Sequence, residues 1–224
     1  MKSFKKQAGF TLVEIAIVLV IVGLLLAGVL KGQELIANSR IKAGGNELAS
    51  ISAANNSYVD RFRRMPGDDG PLATLTARGG QWANVTVGSA PGPNGALVSA
   101  GAAVFTPVLE SLGFWQHLRA AGFITGSPAT IGAAAAPQNA FGGLIGVIGA
   151  AAAVTGANGN AVCLSQVPGT AARALDAQLD DGVPDAGGVR ATLGAAGVNT
   201  NPGAAVAAAT GYVDTSVYTV CRTL

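Results

Sequence analysis

Glu14 is the one acid inside the longest apolar run of this 224-residue chain. Around it, Phe10 to Leu30 read FTLVEIAIVLVIVGLLLAGVL, twenty-one residues with no other charge. A carboxylate near the centre of a bilayer costs about 2.5–3.5 kcal/mol. An acid kept there needs a cation or hydrogen-bond donors to answer it. Three other sets of residues could do chemistry. Cys163 and Cys221 are the only thiols, either a bonded pair or two separate buried groups. Asp176, Asp180, Asp181 and Asp185 cluster in ALDAQLDDGVPD, an oxygen-rich run of the kind that can hold Ca²⁺. The spacing is a weak match, because the D-x-D-x-D-G run and its closing glutamate are missing. Gly182 reads there as a helix cap, with the aspartates in solvent. His117 is the only imidazole. Without a second histidine it makes no paired ligand set, and it reads as a polar surface or interface residue on a helix. No metal or cofactor is therefore assigned.

Enzymatic constellations are missing as well. The chain has no G-x-S-x-G elbow, Walker A loop, G-x-G-x-x-G or H-E-x-x-H. A Ser/His/Asp triad would have to use His117, and nothing near it resembles a nucleophile turn. Half the residues are apolar and 12% are charged, against about 25% in ordinary soluble domains. A net charge of +2 is too small for a nucleic-acid stripe or a polybasic membrane patch. What remains is a chain whose chemistry sits at its start.

That start is MKSFKKQAG, with Lys2, Lys5 and Lys6 and no acid. The apolar run after it spans about 30 Å as a helix, enough to cross a bilayer core. The lysines favour a cytoplasmic leader and place the rest of the chain outside the membrane. A cleaved secretory signal would fit the basic start, with Ala27 before a cut, but its apolar region is usually shorter and carries no acid. A plain signal anchor explains the length and leaves Glu14 unexplained.

The stretch Lys5-Lys6-Gln7-Ala8-Gly9-Phe10-Thr11-Leu12-Val13-Glu14 resembles the cleavage and methylation signature of type IV prepilins and pseudopilins. The resemblance implies a cut at Gly9–Phe10 by a prepilin peptidase, methylation of the Phe10 amine, and a Glu14 that pairs with such an amine during assembly. It further implies a filament of identical or related pilin subunits, extracted from the lipid bilayer by an assembly ATPase and a membrane platform. Residence would be in a bacterial inner membrane, single-pass, with an external periplasmic domain and an extracellular or periplasmic filament after assembly. Removing the three leader lysines leaves eleven basic and twelve acidic side chains, and the new ammonium nearly balances them. Two alternatives stay open: a pseudopilin of the type II secretion system, and a membrane-anchored binding module that never polymerises. In an oxidising exterior the two cysteines are expected to bond, and the family often carries such a C-terminal disulfide.

The elements follow. The expected fold is α+β and pilin-like: leader 1–9, a long helix over 10–65 with 10–30 transmembrane, and an external domain over 66–224 with a small antiparallel sheet and long loops. Ile41, Leu48, Ile51, Tyr58 and Phe62 recur at helical spacing, a stripe for packing one helix face on a domain. Arg61, Arg63 and Arg64 fall in its last turns, and Pro66-Gly67 stops it. Gly23, Gly28, Gly32 and the pair Gly44-Gly45 read as weak points, serving close packing, local melting or nothing in particular. A second helix is expected from Thr106 as N-cap and Pro107 to Gly122, with Leu109, Leu112, Trp115 and Leu118 inward. Strands are expected within 144–154, at 161–164, 189–193 and 216–223, with a hairpin at Asn158-Gly159 and a short helix from Gly169 to Asp181.

Overall fold

The computed structural model describes residues 10–89, 92, 94–97, 104–149, 159–203 and 210–224. Its first helix, α1 (Leu12–Phe62), is a single 51-residue element. The chain divides into two compact units, Met1–Ser39 and Arg40–Leu224, and α1 supplies residues to both.

In the first unit α1 is apolar on every side up to Leu30, beyond which the exposed Lys31–Glu34 pair appears. Leu12, Val18, Leu19, Leu24, Leu25 and Leu30 are all more than half exposed. The helix is long and apolar enough to cross a membrane, with a best-window mean hydropathy of 2.9. A helix that is hydrophobic all round belongs in an apolar surrounding and not on the surface of a soluble domain. Gly23, Gly28 and Gly32 have no neighbour within 4 Å of an added Cβ.

In the second unit the same helix becomes one-sided. Gly44, Leu48, Ile51, Ala54, Asn55 and Tyr58 are buried, and Ile41 and Phe62 pack at the margin of the core. The sequence stripe is thus the buried face, completed by small residues that hydrophobic spacing passes over. Gly44 is small for a reason: a Cβ there would lie 2.7 Å from Cε2 of Phe141. It is a packing seat, which answers one of the readings left open for the Gly44-Gly45 pair. Glu47 on the same stretch accepts the Ala140 N–H at 3.2 Å, and its burial raises its pKa.

The helix ends earlier than Pro66 requires. Arg63 takes φ +56, a left-handed conformation of the kind that closes helices at the first residue past the end. Arg63 and Arg64 therefore lie beyond α1, and only Arg61 stands in its last turn. A short helix α2 (Leu72–Thr76) and a 3₁₀ turn (Gly80–Asn84) follow.

Helix α3 spans Leu109–Ala120. It starts two residues later than Thr106-Pro107 predicts, because Leu109 has φ +51 and the segment before it is extended. The Ser111 hydroxyl accepts the Val108 N–H at 3.2 Å in place of a Thr106 cap. Leu109 is consequently exposed, while Leu112, Trp115 and Leu118 are buried as expected. Gly122, at φ +80, follows the helix end.

Four antiparallel strands make the sheet: β1 (Ile145–Ile148), β2 (Ala161–Pro168), β3 (Val189–Gly194) and β4 (Val217–Thr223), in the order β1-β2-β4-β3. Helix α4 (Gly169–Leu179) joins β2 to β3, with Ala172 and Leu175 fully buried. β1 stops at Ile148, within the predicted 144–154 segment; residues 150–158, including Asn158 of the predicted hairpin, lie outside the described residues. Strand alternation sorts the side chains onto two faces. Val162, Leu164, Tyr218 and Val220 join Leu48, Ile51 and Tyr58 of α1 in the main core. Ala161, Cys163 and Cys221 face the other way, with Val104, Phe105 and Ile148. Cys163 and Cys221 stand directly opposite each other in the β2–β4 register and are bonded.

Candidate functional site

Glu14 occupies the third position of α1, and Thr11 immediately precedes the helix. The Thr11 N–H and hydroxyl both donate to Glu14 Oε2, each at 2.8 Å. The Glu14 N–H reaches back to Thr11 Oγ1 at 3.3 Å. This is a capping box, which satisfies free backbone donors at a helix start and suits a negative charge to the helix dipole. The acid in the apolar run is thus held by a neighbour three residues away, with no bond to its Oε1 among the described residues. Phe10 is exposed beside it. Gly9, on the other side of the predicted scissile bond, lies outside the described residues. Thr11 is the functional residue that the sequence reading passed over, although T-x-x-E ahead of an apolar run was a signal for it.

The second polar centre is buried. His117 is wholly enclosed and not the surface residue that its place on a helix predicts. Its Nδ1 accepts the Gly67 N–H at 2.9 Å, so the proton sits on Nε2, which donates to the Val87 carbonyl at 2.8 Å. Burial holds its pKa down to about 4, so the ring is neutral. Asp69 Oδ2 accepts the Tyr58 hydroxyl at 2.7 Å and Arg78 Nη2 at 2.9 Å. The Arg78 guanidinium covers the Phe62 and Trp82 rings at 4.7 and 4.5 Å. Burial, with the Asp69 carboxylate, pushes the Tyr58 hydroxyl well above its ordinary range. Asp68 accepts the Asn94 and Gly95 N–H groups at 2.9 and 2.6 Å. Every member binds backbone or a fixed side chain, so the cluster pins the Pro66–Gly70 turn onto α3 and activates no nucleophile.

The aspartate run behaves differently from its prediction. Asp176 is fully buried because the Tyr212 hydroxyl and the Gly182 N–H both donate to it. Burial raises its pKa. Asp180 and Asp181 are exposed, and one ligand oxygen from each of the three lies within 4.8 Å of the others. Those oxygens already serve turns: Asp180 accepts from Val189 N–H at 2.9 Å and from Gly188 N–H, and Asp181 from Val183 N–H at 2.8 Å. Asp185 does not join the group. The carboxylates act here as loop staples, each replacing a backbone acceptor.

Residues 4–30 match the prokaryotic N-terminal methylation motif. Over 94 residues, 42% of this chain, the sequence is 31% identical to Fimbrial protein EcpC of Eikenella corrodens, and the match spans 61% of that protein's length. No solved structure matches. The chain thus carries the prokaryotic N-terminal methylation motif on a pilin-like α+β layout, and its likeness to a fimbrial protein supports the type IV pilin family.

Proposed function

We propose that this chain is a structural subunit of a type IV pilus-like filament, cut at Gly9–Phe10 and methylated on the Phe10 amine. The observation that carries the proposal is the stretch from Phe10 to Ile36, where seventeen large apolar side chains stand exposed and the run up to Leu30 holds one acid, the hydrogen-bonded Glu14. Such a surface needs an apolar host on every side. Lipid provides it before assembly, and a bundle of like helices provides it afterwards. Glu14 Oε2 is held by Thr11, which fixes the carboxylate at the helix start. The amine of a neighbouring Phe10 then answers the charge and sets subunit register. Prepilin peptidase, an assembly ATPase and a membrane platform are the partners this mechanism needs. The similarity to a fimbrial protein favours a pilus over a secretion pseudopilus.

Two measurements test the reading. Mass spectrometry of protein recovered from its own cells should find Phe10 as an N-methylated first residue, and Glu14→Ala should empty the sheared surface fraction. An intact Met1, or a normal fibre yield from Glu14→Ala, would sink it in favour of an anchored module.

A further inference from the structure

We propose that the turn 180–185 is a strap that keeps the β3 edge of the sheet from pairing with a second copy of this chain. In the order β1-β2-β4-β3, strand β3 (Val189–Gly194) has a neighbour on one side only. Such an edge presents a row of outward N–H and C=O groups that a like strand can use.

The register shows which groups face outward. The Thr223 N–H donates to the Gly188 carbonyl, and the pairing runs unbroken from Val189–Arg222 to Gly194–Val217. Bonds to β4 therefore fall on the even-numbered residues, and Val189, Ala191 and Leu193 direct their backbone groups away from the sheet. The strap takes the first two of those N–H groups. Asp180 Oδ2 accepts the Val189 N–H at 2.9 Å, and the Pro184 carbonyl accepts the Ala191 N–H at 3.0 Å. The Leu193 N–H has no acceptor outside the sheet among the described residues, and its side chain is exposed.

The strap is tied down along its length. Asp180 also accepts the Gly188 N–H, Asp176 the Gly182 N–H, and Asp181 the Val183 N–H. Arg190 Nη1 donates to the Asp185 carbonyl, which fastens the far end to the strand it covers. A Cβ on Gly187 would lie 1.9 Å from Asp180 Oδ2, so a glycine there leaves the carboxylate its seat. The opposite edge is closed by other means: the Ile145 N–H donates to the Pro137 carbonyl at 2.7 Å, and Val147 of β1 is wholly buried.

A second copy is the occupant kept out, because β3 is complementary to itself. Antiparallel pairing about Ala191 sets Val189 against Leu193 and Arg190 against Thr192, so no like charges face each other. Copies gathered by their apolar helices, as proposed above, meet at high effective concentration, and an open β3 edge would join them by strand addition.

The test uses the full chain in detergent micelles, chemically cross-linked and read as monomer or dimer. Wild type is compared with Asp180→Ala, Asp180→Asn and Asp180→Ala/Leu193→Pro. Any association through α1 is common to all four, so the differences report the edge. Asp180→Ala should give at least tenfold more dimer than wild type. Asp180→Asn, which loses the charge and keeps an acceptor oxygen, should stay at the wild-type level. Leu193→Pro removes an outward donor, a change that edge strands tolerate, and should return the dimer fraction towards wild type. Hydrogen exchange gives a second reading without substitution: the Val189 and Ala191 amides should be protected in the wild type and the Leu193 amide should exchange freely. No rise in dimer for Asp180→Ala, an equal rise for Asp180→Asn, or free exchange at Val189 and Ala191 in the wild type overturns the strap. None of these readings needs a cleaved leader or a filament, so failure here leaves the assembly reading standing.

Discussion

Lowering the pH should cost this protein about 3 kcal/mol of stability through one side chain. His117 has a folded pKa of about 4 against an ordinary value of 6.5, because burial excludes the charged ring and outweighs the Val87 carbonyl and the Asp69 carboxylate, which favour it. A depressed folded value means that the unfolded chain takes the proton first. Stability from this group is therefore complete above pH 6.5, falls as pH drops from 6.5 towards 4, and is flat below. At 1.36 kcal/mol per pH unit over that window, the loss is about 3 kcal/mol. Glu47 and Asp176, whose values are raised by burial, push the opposite way, so the measurement has to be a difference against a variant.

His117→Gln is that variant. It keeps one donor and one acceptor but loses the ring geometry, and an orphaned Gly67 N–H or Val87 carbonyl costs about 1–3 kcal/mol. The variant's deficit should be fullest at pH 7 and should vanish or reverse by pH 4, since about 3 kcal/mol of wild-type loss offsets a deficit of about 1–3 kcal/mol. Denaturation of the full chain in micelles can be followed by Trp82 and Trp115, the only tryptophans and both buried. As the chain has a single histidine, its ring carbon resonance also reports the titration without assignment. A midpoint near 6.5, or parallel stability curves between pH 4 and 7, would refute the reasoning.

Three further outcomes are expected. Gly44→Ala places a Cβ 2.7 Å from the Phe141 ring; overpacking of about 1–3 kcal/mol outweighs the helix-propensity gain of up to about 1 kcal/mol. The melting point should fall, and Phe141→Leu in the same chain should recover part of it. Cys163→Ser with Cys221→Ser opens a link of 58 residues' separation and should lower stability by about 2–4 kcal/mol, read as an earlier denaturation midpoint with the same β content. Titration calorimetry with millimolar Ca²⁺ should give no binding heat, since the Asp176, Asp180 and Asp181 oxygens are engaged by Tyr212 and by loop N–H groups; a saturable heat would show that those staples open for the ion.

What the sequence could carry was periodic or covalent. The stripe from Ile41 to Phe62 was legible because α1 rests one face on a sheet, which forces apolar recurrence at helical spacing. β3 and β4 were legible from branched and aromatic runs. His117 was not, since its burial depends on Gly67 and Val87, fifty and thirty residues away in the chain. A polar residue on a helix looks exposed until the loops that cover it are known. Asp176 was misread for the same reason, its partner Tyr212 being 36 residues distant. The start of α3 failed locally: Thr106-Pro107 is good cap chemistry, but Leu109 at φ +51 breaks the path from it. Thr11 could have been read from the T-x-x-E spacing and was eclipsed by the hydrophobicity around it.

The change in pattern along α1 is the strongest physical statement in the sequence. Up to Leu30 the apolar residues occupy every side, and from Arg40 onward they occupy one, with Lys31–Ser39 a mixed stretch that ends at the unit boundary. A single packing partner can serve a stripe but not a full circumference, so the first stretch requires a host that is apolar in all directions. Seventeen large side chains at about 1.5–3 kcal/mol each put tens of kcal/mol on keeping that stretch out of water. No isolated external domain recovers such a sum. On the proposed reading, the helix leaves lipid only by entering a surrounding of equal apolarity, which several helices of the same kind offer. In the filament proposed above, Glu14, held by Thr11, is the charge inside the 10–30 run and distinguishes one axial position from the next.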